Sequence, residues 1–270
     1  MSKEMTCMYK YLRGYKKFPS VWCPGCGNGI VLGAIIRAVD DLGWDRNNVA
    51  LVSGIGCSSR MPVYVDFNTL HTTHGRSLPF ASGLKLAKPG MKVIVVSGDG
   101  DSVAIGGNHF IHAARRNIEI TTIVINNYIY GMTGGQVSPA SPLGTIAATS
   151  PYGNIGQPFD ICELAKDGGA SFVARSTVYH FMEMEKFIKQ ALQKKGFSIV
   201  EVLSNCHTNY GRHNNQRSAM EMLKWFKDNT APIDSPASIE NKIPRGVFVD
   251  REVIEYCDAY KCLKDNLCKT

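Results

Sequence analysis

A chain of 270 residues, 44% apolar and 20% charged, is long enough for one large α/β domain with a substantial core. Its formal net charge of +7 is modest and spread along the sequence, with no arginine–lysine block. That argues against a nucleic-acid binder and leaves Lys16-Lys17 and Lys194-Lys195 as solvated faces, though a mildly basic surface suits an acidic protein partner. The longest apolar stretch, around Ile30 to Val39, is broken by Gly33 and Arg37 and is too short to span a membrane. With no secretory signal read at the amino end, a reducing, cytoplasmic setting is expected.

In chain order, Asn28 reads as the N-cap of a helix reaching Leu42 and stopped by Gly43. A strand over 49–53 follows, then a long loop carrying Cys57, His71 and His74, and a helix over 78–87. The apolar run Val93-Ile94-Val95-Val96 is closed by Gly98-Asp99-Gly100-Asp101. After a helix over 103–116, a second run, Thr122-Ile123-Val124-Ile125, is closed by Asn126-Asn127. Residues 128–158 form a loop rich in Gly, Pro, Ser and Thr, too long for an ordinary connection and therefore functional. Helix 159–166, strand 171–175, helix 181–195, strand 197–203 and helix 219–226 complete an open, doubly wound, mostly parallel sheet. Residues 1–228 are read as the domain and 229–270 as a C-terminal extension.

The two polar turns carry the first chemistry. In a parallel sheet Asp99 and Asn127 fall at the carboxyl ends of their strands, where such sheets bind ligands. A carboxylate beside an amide oxygen suits a hard divalent cation that shares its ligands with a phosphate. Glycines flanking Asp99 let the backbone approach a diphosphate. Gly100 and Asp101 lead into a helix starting near Ser102, whose free N–H groups favour an anion. Either turn alone is a common composition. The pair, one crossover apart, is far more specific. Gly131-Met132-Thr133-Gly134-Gly135 adds N–H groups fit to wrap phosphate oxygens.

The nine cysteines are too few for a disulfide scaffold and odd in number. In a reducing compartment clustered cysteines bind metal or react. Cys23-Pro24-Gly25-Cys26 is a CxxC with a turn-forming centre; Cys57 follows the 49–53 strand and Cys206 the 197–203 strand. Four thiolates hold either zinc or a [4Fe–4S] cluster. A thioredoxin-like pair would need neither Cys57 nor Cys206, and both suit buried small hydrophobes. Cys7, Cys162, Cys257, Cys262 and Cys268 show no ligand spacing. His109 and His112, at i, i+3, have no third ligand nearby and read as an ordinary helix face, and His207 as a surface histidine.

The GDG–NN pair resembles the thiamine-diphosphate signature. With WCPGCG, GIGCSS, HTTHGRSLPFASGLKLAKP, YGMTGGQVSP and SNCHTNYGR, the chain over about 22–211 resembles the β subunit of the 2-oxoacid:ferredoxin oxidoreductases. The wording is closest to the 2-oxoglutarate branch. Ser138-Pro139-Ala140-Ser141 departs from it, where threonines are expected after the proline. The resemblance implies a thiamine-diphosphate-binding fold and Mg²⁺ held by Asp99, Asn127 and the carbonyl of Ile129. It implies contacts to thiamine diphosphate from Ile55, Gly56, Cys57, Ser58, His74, Gly100, Asp101, Gly131 and Met132. Cys23, Cys26, Cys57 and Cys206 would bind one [4Fe–4S] cluster. The implied reaction is oxidative decarboxylation of a 2-oxoacid to its acyl-CoA, with electrons passing to ferredoxin. The activating glutamate is expected on a partner α subunit, so no catalytic acid or base is assigned here. Arg60, after the Cys57 loop, is the candidate for a substrate carboxylate, with a structural salt bridge as its alternative. A non-redox thiamine-diphosphate decarboxylase subunit would keep GDG and NN without the four cysteines; a zinc-binding structural protein would keep only the cysteines.

Overall fold

The apolar runs that end in GDGD and NN become β3 (Lys92–Gly98) and β4 (Thr121–Asn126), neighbouring parallel strands. The computed structural model describes residues 8–14, 19–235 and 241–267; Cys7, Lys16, Lys17 and Cys268 lie outside them. Both runs are apolar throughout because both faces of the sheet are covered. In β3, Ile94 and Val96 enter one core layer and Val93 and Val95 the other. Each such burial is worth about 1.5–3 kcal/mol.

Helices α1 (Asn28–Asp41) and α5 (Phe181–Gln193) cover the first face. The second is covered by α2 (Ser77–Ala87), α3 (Gly107–Arg116) and α4 (Ile161–Asp167). The remaining strands are β1 (Val49–Ser53), β2 (Asn68–His71), β7 (Phe172–Thr177), β8 (Ser198–Leu203), β9 (Thr230–Pro232) and β10 (Ile243–Asp250). They form an eight-stranded sheet in the order β2-β1-β3-β4-β8-β7-β10-β9. β10 runs antiparallel to β7. From β1 the chain moves outward to β2 and then back across to β3, so the strand order reverses between β1 and β3. A crevice opens there, outside the carboxyl ends.

Several expectations need correction. The loop after β1 contains a 3₁₀ turn, Ser58–Val63, and the edge strand β2, too short and polar to stand out as a run. The helix expected from residue 103 is two elements: a π-helical turn, Gly100–Ala104, and then α3. Its wider turn begins directly after Asp99 and lets Asp101 point inward. The 128–158 loop holds a small hairpin of β5 (Ile129–Tyr130) and β6 (Gln136–Val137). Of the pair Lys194-Lys195, Lys194 is mostly covered and bonds Asp250 at 2.8 Å, whereas Lys195 stays exposed, as expected, and bonds Asp258 at the surface at 3.1 Å. Past α6 (Ala219–Asn229), the segment read as an extension lays β9 and β10 along the sheet edge, followed by α7 (Tyr256–Leu267). Asn117 fastens it by donating to the carbonyls of Val253 and Ile254.

Asn28 is not a cap. Gly27 holds that position, and Asn28 is the first helical residue. A Cβ on Gly27 would lie 2.4 Å from Ser204 Oγ and 2.7 Å from Val178 Cγ1, so glycine is what lets the CxxC turn sit against the end of β8. Gly27→Ala should therefore destabilise the protein by about 1–3 kcal/mol through overpacking. A urea midpoint equal to that of the parent protein would show that the contact yields freely.

Candidate cofactor and metal site

Four strand ends build the site. After β1, Gly54 passes so close to Asp101 that a Cβ would lie 2.1 Å from its Oδ2. Asp101 is buried; its Oδ1 accepts from His74 Nδ1 at 2.7 Å, from Gly75 N–H at 2.7 Å and from Ile55 N–H at 3.3 Å. Its Oδ2 accepts from Ser97 at 2.7 Å. One carboxylate thus pins the β1 loop, the His74 loop and the end of β3 together. His74 in turn meets the Tyr130 ring edge-on, 5.9 Å between centroids.

Asp99 is also buried, but faces the crevice. Burial raises its carboxyl to about 7, partly offset by hydrogen bonds from Ser138 Oγ and nearby backbone N–H groups. A divalent cation there would restore the carboxylate. Ser141 Oγ donates to the Tyr128 carbonyl, so the serines of the departing Ser138–Ser141 segment supply hydroxyls on both sides of the turn.

The two asparagines divide the work. Asn126 is buried, accepts from Tyr128 N–H at 3.0 Å and donates to Glu201 Oε1 at 2.8 Å. Asn127 accepts from Ile129 N–H at 3.2 Å and faces the crevice. Between them Tyr128 takes a left-handed φ of 65°, uncommon for a bulky residue and characteristic of a functional turn.

These pieces enclose a cavity of ≈ 200 Å³. Ile55, Gly56, Cys57 and Ser58 line it from the β1 side, His74 from the second loop, and Asp99, Gly100 and Asp101 from β3. Asn127, Ile129, Gly131 and Met132 close it from the β4 side. The residues implied for the cation and for thiamine diphosphate therefore border one space, although Gly134 and Gly135 of the glycine loop do not. Arg60 does not: it sits on the 3₁₀ turn, lines neither this cavity nor the next, and has no ion pair among the described residues.

A second cavity, ≈ 270 Å³, adjoins the first and is lined by Cys23, Cys26, Cys57 and Cys206. A Cβ built on Gly131 would lie 3.5 Å from Cys206 Sγ and 3.7 Å from Cys57 Sγ. Thr208 Oγ1 is 3.7 Å from Cys23 Sγ and 3.8 Å from Cys206 Sγ. All four thiols are free. Burial pushes Cys57 up to about 11, and the other three thiols add to it; Cys26 is raised for the same reasons. Mutual repulsion of thiolates is what a cationic metal centre relieves. The spacing bears on which centre. Zn–S bonds of about 2.3 Å put tetrahedral sulfurs only about 3.8 Å apart. Among the described residues, the trio of ligand atoms all within 4.8 Å of one another is Asp160, Cys162 and Glu201, not any three of these thiols. Thiols spread around one cavity can take a multi-iron centre, or draw in around a single ion. The Asp160–Cys162–Glu201 trio itself encloses the Arg175 guanidinium, which bonds Glu201 and Asp160 at 2.6 Å each.

Three contributors escape sequence reading. Asn28 borders both cavities, donates to Cys26 Sγ at 3.3 Å and leaves its buried Oδ1 without a partner. Its position directly after CPGCG was the available signal. Trp22 donates to the Cys57 carbonyl at 2.7 Å, and Ser138 holds Asp99. His207 is no simple surface residue, since it lines the thiol cavity. His71 bonds Ser53, and His109 bonds Arg76. Cys162 is buried away from the thiol cavity, while Cys257 and Cys262 lie on α7.

The sheet and this crevice define a thiamine-diphosphate-binding enzyme domain. Residues 54–202 match the family model for the thiamine pyrophosphate enzyme, C-terminal TPP binding domain. The chain belongs more closely to the family of 2-oxoglutarate synthase and 2-oxoacid:ferredoxin oxidoreductase β-type subunits, as its relatives show. It is 50% identical over 254 residues to the 2-oxoglutarate synthase subunit KorB of Methanothermobacter marburgensis, covering 92% of this chain and 89% of that one. It is 51% identical over 256 residues to the same subunit of Archaeoglobus fulgidus, covering 94% and 93%. Among solved structures, the 2-oxoglutarate:ferredoxin oxidoreductase of Magnetococcus marinus, with 2-oxoglutarate, coenzyme A and succinyl-CoA bound, superposes with a TM-score of 0.86. That match is 32% identical and covers 97% of this chain and 90% of that one.

Replacing Asp101 by asparagine keeps the shape but puts an NH₂ group against donors. At about 1–3 kcal/mol per unsatisfied buried group, Asp101→Asn should lower the thermal midpoint measurably and weaken thiamine-diphosphate binding. An unchanged midpoint and affinity would show that the clamp contributes nothing.

Proposed function

We propose that the chain is the β subunit of a 2-oxoacid:ferredoxin oxidoreductase that converts 2-oxoglutarate to succinyl-CoA and CO₂ and passes the electrons through a [4Fe–4S] cluster to ferredoxin. The observation that carries this reading is the shared wall: Cys57, Asn127, Asn28, Gly131 and Met132 border both the crevice and the thiol cavity. A decarboxylase with no electron to export has no use for four thiols at that wall.

Thiamine diphosphate supplies the carbanion chemistry by which a 2-oxoacid loses CO₂, and an iron–sulfur cluster accepts electrons one at a time. Asp99, Asn127 and the Ile129 carbonyl would hold Mg²⁺, whose charge would neutralise the cofactor's diphosphate. The N–H groups at the start of the π-helical turn would face that anion. Asp101 fixes His74 at the crevice, and Tyr130, Gly131, Met132 and Thr133 line its outer side. Cys23, Cys26, Cys57 and Cys206 would ligate the cluster, with Asn28 donating to Cys26. No acid or base of this chain is assigned to the aminopyrimidine; that glutamate would come from a partner α subunit, and with Arg60 off the cavity the second substrate carboxylate is left to the 131–136 loop or to that partner. Coenzyme A takes the acyl group. No helix among the described residues is long and apolar enough to cross a membrane, and free thiols suit a reducing cytoplasm.

The substrate is tested with the purified two-subunit complex, measuring acyl-CoA formation with a viologen dye and each 2-oxoacid in turn. Highest kcat/KM is expected with 2-oxoglutarate; a higher value with pyruvate or a branched-chain 2-oxoacid would remove that substrate while leaving the oxidoreductase class. For the cluster, Ala at any one of Cys23, Cys26, Cys57 or Cys206 should bleach the visible absorption and lower the iron content. Cys162→Ala should keep both. A Cys206→Ala complex with full iron would take that residue out of the ligand set.

A further inference from the structure

Past Cys206 the chain forms a second π-helical turn, His207–Gly211, and then the loop leading into α6. These enclose a surface recess of ≈ 460 Å³ lined by His207, Thr208, Arg212, His213 and Arg217. Arg212 and Arg217 are exposed, and no ion pair among the described residues involves either. Basic residues nearer the core are answered, as Arg175, Lys85, Lys194 and Arg245 each meet carboxylates. From Cys206 to the end of α6, Arg212, Arg217, Lys224 and Lys227 stand against Glu221 and Asp228; α6 itself is balanced, so the excess lies at the recess, and the Glu221 carboxylate accepts from Ser218 N–H in the helix cap. Arg217 also precedes that cap, at the positive end of the helix dipole, where a cation is disfavoured. Unpaired guanidinium groups gathered at such a place gain most from an anionic partner.

The recess is also the face nearest the thiols. His207 and Thr208 line both the recess and the thiol cavity, and Thr208 Oγ1 touches both Cys23 and Cys206 sulfurs. Electron transfer slows steeply with distance, so the exit from a centre held there lies on this side. We propose that the Arg212–Arg217 recess is the docking surface for the acidic one-electron carrier protein, an inference that rests on the oxidoreductase reading and adds where the carrier binds. Each decarboxylation releases two electrons and each carrier removes one, so two carriers must arrive and leave per CO₂. Small, charge-steered contacts serve that rapid exchange.

The test is the double charge reversal Arg212→Glu with Arg217→Glu in the two-subunit complex, assayed with 2-oxoglutarate and coenzyme A. At low ionic strength KM for an acidic ferredoxin should rise about tenfold or more. The wild-type advantage should fade with added salt. Methyl viologen, a small cation that needs no acidic docking, should be reduced at the wild-type rate. An unchanged ferredoxin KM overturns the proposal. A raised KM for coenzyme A overturns it too, assigning the recess to that cofactor's phosphates, as does loss of viologen reduction with iron content intact. Should the double variant fail to assemble, the single changes Arg212→Gln and Arg217→Gln give the same readouts. Failure of the oxidoreductase reading would look different: the wild-type complex would reduce no viologen.

Discussion

The parallel register of the central strands is the constraint on which this molecule depends. Ser53 pairs with Val96, Gly98 with Ile125 and Asn126 with Leu203, so the carboxyl ends of β1, β3, β4 and β8 finish at one edge. Residues far apart in sequence, from Cys57 to Cys206, are thereby delivered to a single crevice. Both faces of those strands are buried in apolar layers, and a slip in register would carry each apolar set to the wrong face. The core thus fixes the site geometry, and the loops need only supply functional groups.

What the loops supply is an unusual density of buried acceptors and thiols. Asp101 is satisfied within the chain by four donors. Asn28 Oδ1 has no such partner among the described residues, and Asp99, although Ser138 and backbone N–H groups bond it, is still raised by burial to about 7; both border the crevice. That contrast separates scaffold from ligand site: a buried polar group costs free energy until something pairs with it. The thiols follow the same logic: Cys57 and Cys26 are raised by burial and by their neighbouring thiols, and all four line one cavity.

Much of this was legible in the sequence because the signals were local. The continuous apolar runs before GDGD and NN required strands buried on both faces, and the glycine-flanked Asp99 marked their ends. The parts that were not legible depend on distant partners. β2 is a short polar strand that exists only because β1 offers it an edge. β10 contains Pro244 and Gly246, poor strand formers, yet pairs antiparallel with β7. Asn28 looked like a cap because its side chain type suits one; the crowding of Gly27 against Ser204, far along the chain, decides otherwise. Asp101 read as part of an anion-binding turn, and only the folded loops reveal the donors that converge on it. Likewise the net charge looked evenly spread until the turn after β8 gathered Arg212 and Arg217 into one recess.

The central claim is that the cation–diphosphate crevice and the four-thiol centre are separate but adjoining, so that one feeds the other. Electron paramagnetic resonance of the anaerobic complex tests this most directly, comparing wild type with Asp99→Ala. In wild type, 2-oxoglutarate plus coenzyme A should generate the signal of a reduced [4Fe–4S] cluster without any added reductant. In Asp99→Ala, dithionite should still produce that signal while the substrate should not. A variant that substrate still reduces, or one that has lost the dithionite signal as well, would contradict the account.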